Sequence, residues 1–306
     1  MHSQYAFAFG RKPGWIALLI ALMAISIRSA QAQALPSGRT GSVINFYESF
    51  DGSSSPSGAL LRISNDVGYD FTQRLGVDLE LPIYFVYPPV QPAGVSLPLI
   101  GLGNLAADGR ATLHLPRVVY EPTVTIAFPT GSTAKGFSTG SVTYDLDNHF
   151  KHDFDFITPF LDIDVGNSLN NSNGPYHTMV QRPFMTLGDL AEFTAGAEFH
   201  PINRLTVSGD FYYVMPWGQQ TVFSRIVMPG YVGTGGTNNR SFELAWKTVG
   251  GPGLVRDHGY DATVGYGLTR YLDLAAGFNR SMNYDLNTLS LSLGINVSKL
   301  LSRQSR

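Results

Sequence analysis

The sequence predicts an all-β fold, a transmembrane up-and-down antiparallel β-barrel of about twelve strands, and three observations predict it. Apolar and polar residues alternate with a period of two in one segment after another, which a helix cannot produce. Connections between these segments alternate between short and long. The composition, with 33 Gly, 19 Phe, 15 Tyr and only 14% charged residues, suits many turns and rings placed at membrane interfaces.

Residues 1–34 read as a cleaved signal peptide and are left out of the fold. Arg11 and Lys12 are its positive start, 15–27 its apolar run, and Ala30-Gln31-Ala32 or Ala32-Gln33-Ala34 its small-x-small cleavage pattern. Removing them takes away three cations and no acid, leaving 18 Lys and Arg against 23 Asp and Glu, a net of −5. That balance argues against a nucleic-acid partner. Zero cysteines exclude a disulfide scaffold, a Cys-based zinc site and a lipid-anchored N-terminal cysteine. Residues 35–306 are then one barrel domain, since single large barrels reach this length.

The first strand is predicted at 43–50. The hairpin over 61–87 sets the pattern: Val77, Leu79, Leu81, Ile83 and Phe85 share one face, with Asp78, Glu80, Pro82 and Tyr84 on the other. Leu61, Ile63, Val67 and Tyr69 likewise oppose Arg62, Ser64, Asp66, Gly68 and Asp70. Further amphipathic strands follow at 120–128, 142–147, 161–165, 192–199, 205–213, 262–268, 272–278 and 289–297. Short links fall at 72–74, 116, 151–153, 201–203 and 269–270. Long ones fall at 51–58, 88–100, 129–138, 167–187 and 218–257, the last being the long external loop. Ten or fourteen strands stay open as counts, because 219–228 and 240–248 could form another hairpin within that loop. Rings near strand ends (Tyr69, Phe71, Tyr87, Phe150, Phe154, Phe199, Trp217, Tyr260 and Tyr271) are expected at the two interfaces. Closure of the ring would leave no unpaired backbone in lipid.

Three short motifs, Gly101-Leu102-Gly103-Asn104-Leu105, Phe128-Pro129-Thr130-Gly131 and Phe137-Ser138-Thr139-Gly140, carry a resemblance. On them the chain resembles the phenol-degradation meta-pathway family of outer-membrane proteins of Gram-negative bacteria. The resemblance implies a β-barrel transporter that passes small, often hydrophobic or aromatic molecules across the outer membrane. It further implies outer-membrane lipid, a small-molecule solute and the barrel-assembly machinery as partners. Physically, Pro129-Thr130-Gly131 ends a strand and opens a loop, while Gly101 and Gly103 allow a bend or a close approach.

The predicted inward face is acidic: Asp66, Asp78, Glu80, Glu121, Asp145, Asp162, Glu192, Glu198, Asp210, Asp261 and Asp273. In a wet lumen these acids would favour a permeating cation; alternatively many pair with Arg62, Arg110, Arg117 or Lys247. The loop 218–257, with Arg225, Tyr231 and Trp246, is expected to fold over or into the mouth and gate entry, or else to be a mobile external loop. The cluster Asp147, His149, His152, Asp153 and Asp155 straddles a turn and reads as solvated rather than metal-binding. There is no G-x-S-x-G elbow, and no catalytic residue, metal or cofactor is predicted. The leading function is therefore passive passage of small molecules. A lipid-modifying or proteolytic barrel, with His177 or His258 beside an acid and a serine, is the second, and a plugged structural or adhesive barrel the third.

Overall fold

The structure is a computed structural model that describes residues 43–55, 58–88, 98–169, 184–225 and 245–301. The leader expected at 1–34 lies outside those residues, as do His177 and Tyr231.

Alternation becomes a wall in chain order. β1 (Val43–Ser55), β2 (Gly58–Asp70) and β3 (Leu75–Tyr87) run up and down as neighbours. The next strand is broken: β4 (Leu99–Leu102) pairs with one half of β3 and β5 (Leu105–Ala111) with the other, leaving Gly103 and Asn104 between them. The two-residue β6 (Leu113–His114) and β7 (Val119–Phe128) follow, then β8 (Thr143–Lys151) and β9 (Ile157–Gly166). β10 (Phe184–Leu187) leaves the wall, which resumes with β11 (Leu190–Ile202) and β12 (Leu205–Pro216). β13 (Gln220–Ser224) and β14 (Lys247–Gly250) leave it again before β15 (Asp257–Gly267), β16 (Leu272–Ser281) and β17 (Leu286–Asn296) complete it. β17 pairs back onto β1, all pairings are antiparallel, and with β4, β5 and β6 counted together as one broken strand the closed ring has twelve members. Every peptide group of a closed ring finds its partner within the protein, which is what lets such a wall stand in hydrocarbon.

The wall is inside-out relative to a soluble β-protein. Outward positions are apolar and open, with Phe211 at 72%, Leu289 at 63% and Leu79 at 53% exposure, while the inward neighbours Asp210 and Glu80 are at 8% and 6%. An aqueous monomer rarely tolerates so large a continuous apolar surface, so the face is built for lipid. Rings cluster near its edges: Tyr69 meets Phe71 edge-on, Tyr120 stacks on Phe150, and Phe156 meets Phe199, all towards the short-turn end. Tyr271 departs from the expectation. It shares the inward parity of Asp273 and is buried, and its carbonyl accepts the Asn296 N–H at 2.9 Å.

Other boundaries also shift. Residues 51–55 belong to β1 and Gly58 to β2 rather than to a long link, because Asp51 and Ser53 continue the inward polar row of β1. In a barrel with a polar interior, a serine-rich run still has a strand's periodicity. The last strand ends at Asn296, and Val297–Leu301 turns into a short helix with the Lys299 N–H donating to Asn296 Oδ1 at 2.9 Å. The hairpin foreseen in the long loop does form, as β13 and β14, but it joins β10 in a separate three-stranded sheet and adds nothing to the wall.

Candidate functional site: the barrel lumen

Each predicted lumen acid stands on the inward parity of its strand, and the cations sort these acids into two arcs. On one arc, β2 to β8, three inward cations pair with four of the acids, while Asp66 and Asp145 share the same inward face. Arg62 bonds Glu80 and donates from Nε to Ser64 Oγ at 2.6 Å, and Ser64 in turn donates to Glu80 at 2.7 Å. Arg110 bridges Asp78 at 2.5 Å and Asp70 at 2.6 Å, and Lys151 reaches Glu121 at 2.6 Å. Of the other two cations considered, Arg117 sits in a short turn and Lys247 lies over the Phe223 ring.

On the other arc, β9 to β17, the inward positions carry no Lys or Arg among the described residues. Here Asp164 faces Glu192, Asp210 faces Asp261, and Asp261 faces Asn279 across strand pairs. Asp162 takes the His149 imidazole and Glu198 lies 3.4 Å from His200, so histidine tempers only the part of this arc nearer the short turns. Asp108 also belongs to the interior, accepting from Thr125 at 2.5 Å. Sequence reading passed over it because the Gly103–Asn104 break and the small residues of β5 blur the alternation.

Towards the long-loop end the interior turns apolar, and external segments fold into it. Val222 of β13 and Phe184 of β10 pack against Leu190, Tyr212 and Val214, the inward residues of β11 and β12. Three residues further on, the buried Arg225 guanidinium lies 4.2 Å from the centroid of the Tyr84 ring on β3 and its Nε donates to the Gly136 carbonyl at 3.2 Å. Burial lowers the pKa of this guanidinium, and Tyr84 opposes that shift. β3 and β12 stand six places apart in the ring of twelve, on opposite sides. The small sheet therefore bridges the lumen from wall to wall. Trp246 of the same loop remains 40% exposed, its carbonyl accepting the Ser224 N–H at 3.0 Å.

The three motifs that carry the family resemblance meet at this bridge. Thr130 closes the break between β4 and β5: its hydroxyl accepts the Leu105 N–H at 2.8 Å and donates to the Gly103 carbonyl at 3.0 Å. The Phe137 ring lies over Gly101, where a β-carbon would overlap it, and stacks on Tyr84 at 5.8 Å. Gly136 adopts φ +67, and a β-carbon there would overlap the Ser224 carbonyl. Thr130→Val keeps the shape but abandons both hydrogen bonds beside the wall. It is expected to cost about 0.5–1.5 kcal/mol per hydrogen bond, read as a lower temperature for loss of the compact, heat-modifiable band in gel electrophoresis.

The histidine cluster is dispersed: His149 pairs with Asp162, His152 with the Arg117 carbonyl, and Asp153 accepts from Thr158 at 3.0 Å. Among the described residues no group of three or more His, Asp or Glu is arranged to hold a metal ion. His258 points outward from β15, against the Tyr213 ring.

No family model matches the chain, and neither does any curated protein. Solved structures do. The COG4313 outer membrane channel from Pseudomonas putida F1 is similar at TM-score 0.50 and 12% identity, over 89% of this chain and 100% of that one. The KdgM porin in complex with disordered oligogalacturonate aligns at TM-score 0.47 and 8% identity, over 81% of this chain and 98% of that one. At these identities the likeness is one of fold, and the fold is the closed antiparallel barrel of outer-membrane channels.

Proposed function

We propose that the chain is a passive outer-membrane channel for small molecules, which diffuse through a shaped lumen without chemistry. One observation carries this reading: a closed twelve-strand ring with an apolar outside and a charged inside. Its long-loop end would face the exterior and its short turns the periplasm, after export by the leader at 1–34 and insertion by the barrel-assembly machinery. Within this reading the bridging sheet narrows the mouth and gates it, with Arg225 as its anchor. The resemblance to the phenol-degradation family supports hydrophobic or aromatic solutes.

The same bridging sheet favours a second reading, a plugged barrel with a structural or adhesive role. Swelling of liposomes containing the purified barrel separates the two. In isosmotic arabinose or benzoate, swelling faster than in protein-free liposomes is expected of the channel. Rates equal to protein-free liposomes for every solute would sink the channel reading and leave the plug.

A further inference from the structure

Within the β9–β17 arc, Asp210 marks one place. It points inward from β12, is 8% exposed, and among the described residues no N–H or O–H donates to its carboxyl group. Asp261 of β15 is its cross-strand partner, and Asp162 and Glu192 face the same space. On its other flank stands Gly196 of β11, where a side chain would collide with the Asp210 β-carbon and the edge of the Phe160 ring, so Asp210 sits close over the neighbouring strand. A carboxylate set this deep without a donor is costly, and a second one beside it raises the cost. Among the described residues the inward positions of this arc carry no Lys or Arg, so a mobile cation is a natural counter-charge for Asp210.

We infer that Asp210 and Asp261 form a transit station for small monovalent cations, so that the lumen passes cations in preference to anions along the β9–β17 arc. This rests on the channel reading above and deepens it by naming the charge class of the solute. On the β2–β8 arc Arg62, Arg110 and Lys151 meet Glu80, Asp70, Asp78 and Glu121, so part of the acidic charge there is neutralised by the protein itself. The low number of carboxylates at the station suits passage, since a conducting site must bind weakly enough to release. Low dielectric walls strengthen the attraction.

The test uses the purified barrel in planar bilayers under a tenfold gradient of KCl. The wild type is expected to show a reversal potential of cation-selective sign. Asp210→Asn/Asp261→Asn, which changes charge with little change in shape, is expected to lower the potassium-to-chloride permeability ratio by about tenfold. Heat-modifiable migration checks that the variant is folded, and Asp210→Asn alone stands in if the double variant is not. Currents of anion-selective or unselective sign in the wild type would overturn the inference while leaving the channel intact. A folded variant with unchanged selectivity would overturn it equally, and absence of any wild-type current would remove both the inference and the channel reading.

Discussion

Leu81→Arg is expected to arrest assembly. Leu81 lies at the centre of β3, on the outward face between Leu79 and Ile83, opposite Asn65 of β2. Arginine at the midplane of a lipid-facing strand costs about 2–4 kcal/mol, and neither neighbouring strand offers it an acid on that face. The expected result is a marked fall in the folded, heat-modifiable fraction in outer membranes, relative to the wild type at equal expression. Normal folded yield would mean that this face does not meet lipid. One residue away the logic inverts. Glu80→Leu adds an apolar group to the interior and leaves Arg62, itself only 3% exposed, without its carboxylate. Removing one partner of a buried pair costs about 3–5 kcal/mol. Both variants should therefore lose folded material, for opposite reasons, and a soluble, lipid-free folding assay in detergent distinguishes them: Glu80→Leu remains defective there, whereas Leu81→Arg recovers in part.

The wall was legible because a barrel strand writes both of its environments into one period of two. Val77 to Phe85 against Asp78 and Glu80 fixes which side meets lipid with no knowledge of the neighbours, and the register of β2 on β3 matches that split residue for residue. Legibility failed where the inside ceased to be distinctly polar. The serines of β1 resembled a loop, and Ala106, Asp108 and Arg110 alternate only with small residues, so β5 was not marked as a strand of its own. Tyr271 was assigned by residue type to an interface, although its parity pointed it inward.

The lumen was half legible. Parity places an acid inside, but it does not say which acid meets a cation, because the partner comes from another strand. Arg110 reaches Asp70 from 40 positions away, and Arg62 reaches Glu80 from 18. The bridging sheet was less legible still. Phe184, Val222 and Arg225 belong to different loops, and nothing local marks them as filling a mouth lined by Tyr84, Tyr212 and Val214. The motif words did hold a hidden signal. Gly101 and Gly103 lie on the broken strand and Thr130 and Phe137 in the loop after β7, and they meet because that loop docks on the break.

Tyr84→Leu is expected to open the mouth. The ring of Tyr84 supports the Arg225 guanidinium on one side and stacks on Phe137, which covers Gly101. A desolvated cation–π contact contributes about 2 kcal/mol. Losing it shifts the ratio of docked to undocked bridge by about thirtyfold towards the undocked state, at about 1.4 kcal/mol per factor of ten. Leucine retains apolar volume at the wall, so the barrel itself should fold, and single-channel recordings should show larger or longer openings than the wild type. Arg225→Met is the informative contrast. It removes the buried charge together with its need for a ring and a carbonyl, while keeping a long side chain against Tyr84. A charge left buried without its support is worse than no charge at all, so this variant should hold the bridge in place and conduct much as the wild type does. If Tyr84→Leu folds and its conductance matches the wild type, Arg225 is not the anchor of the bridge. If both variants conduct alike and more than the wild type, the guanidinium itself, rather than the fit of the sheet, keeps the mouth narrow.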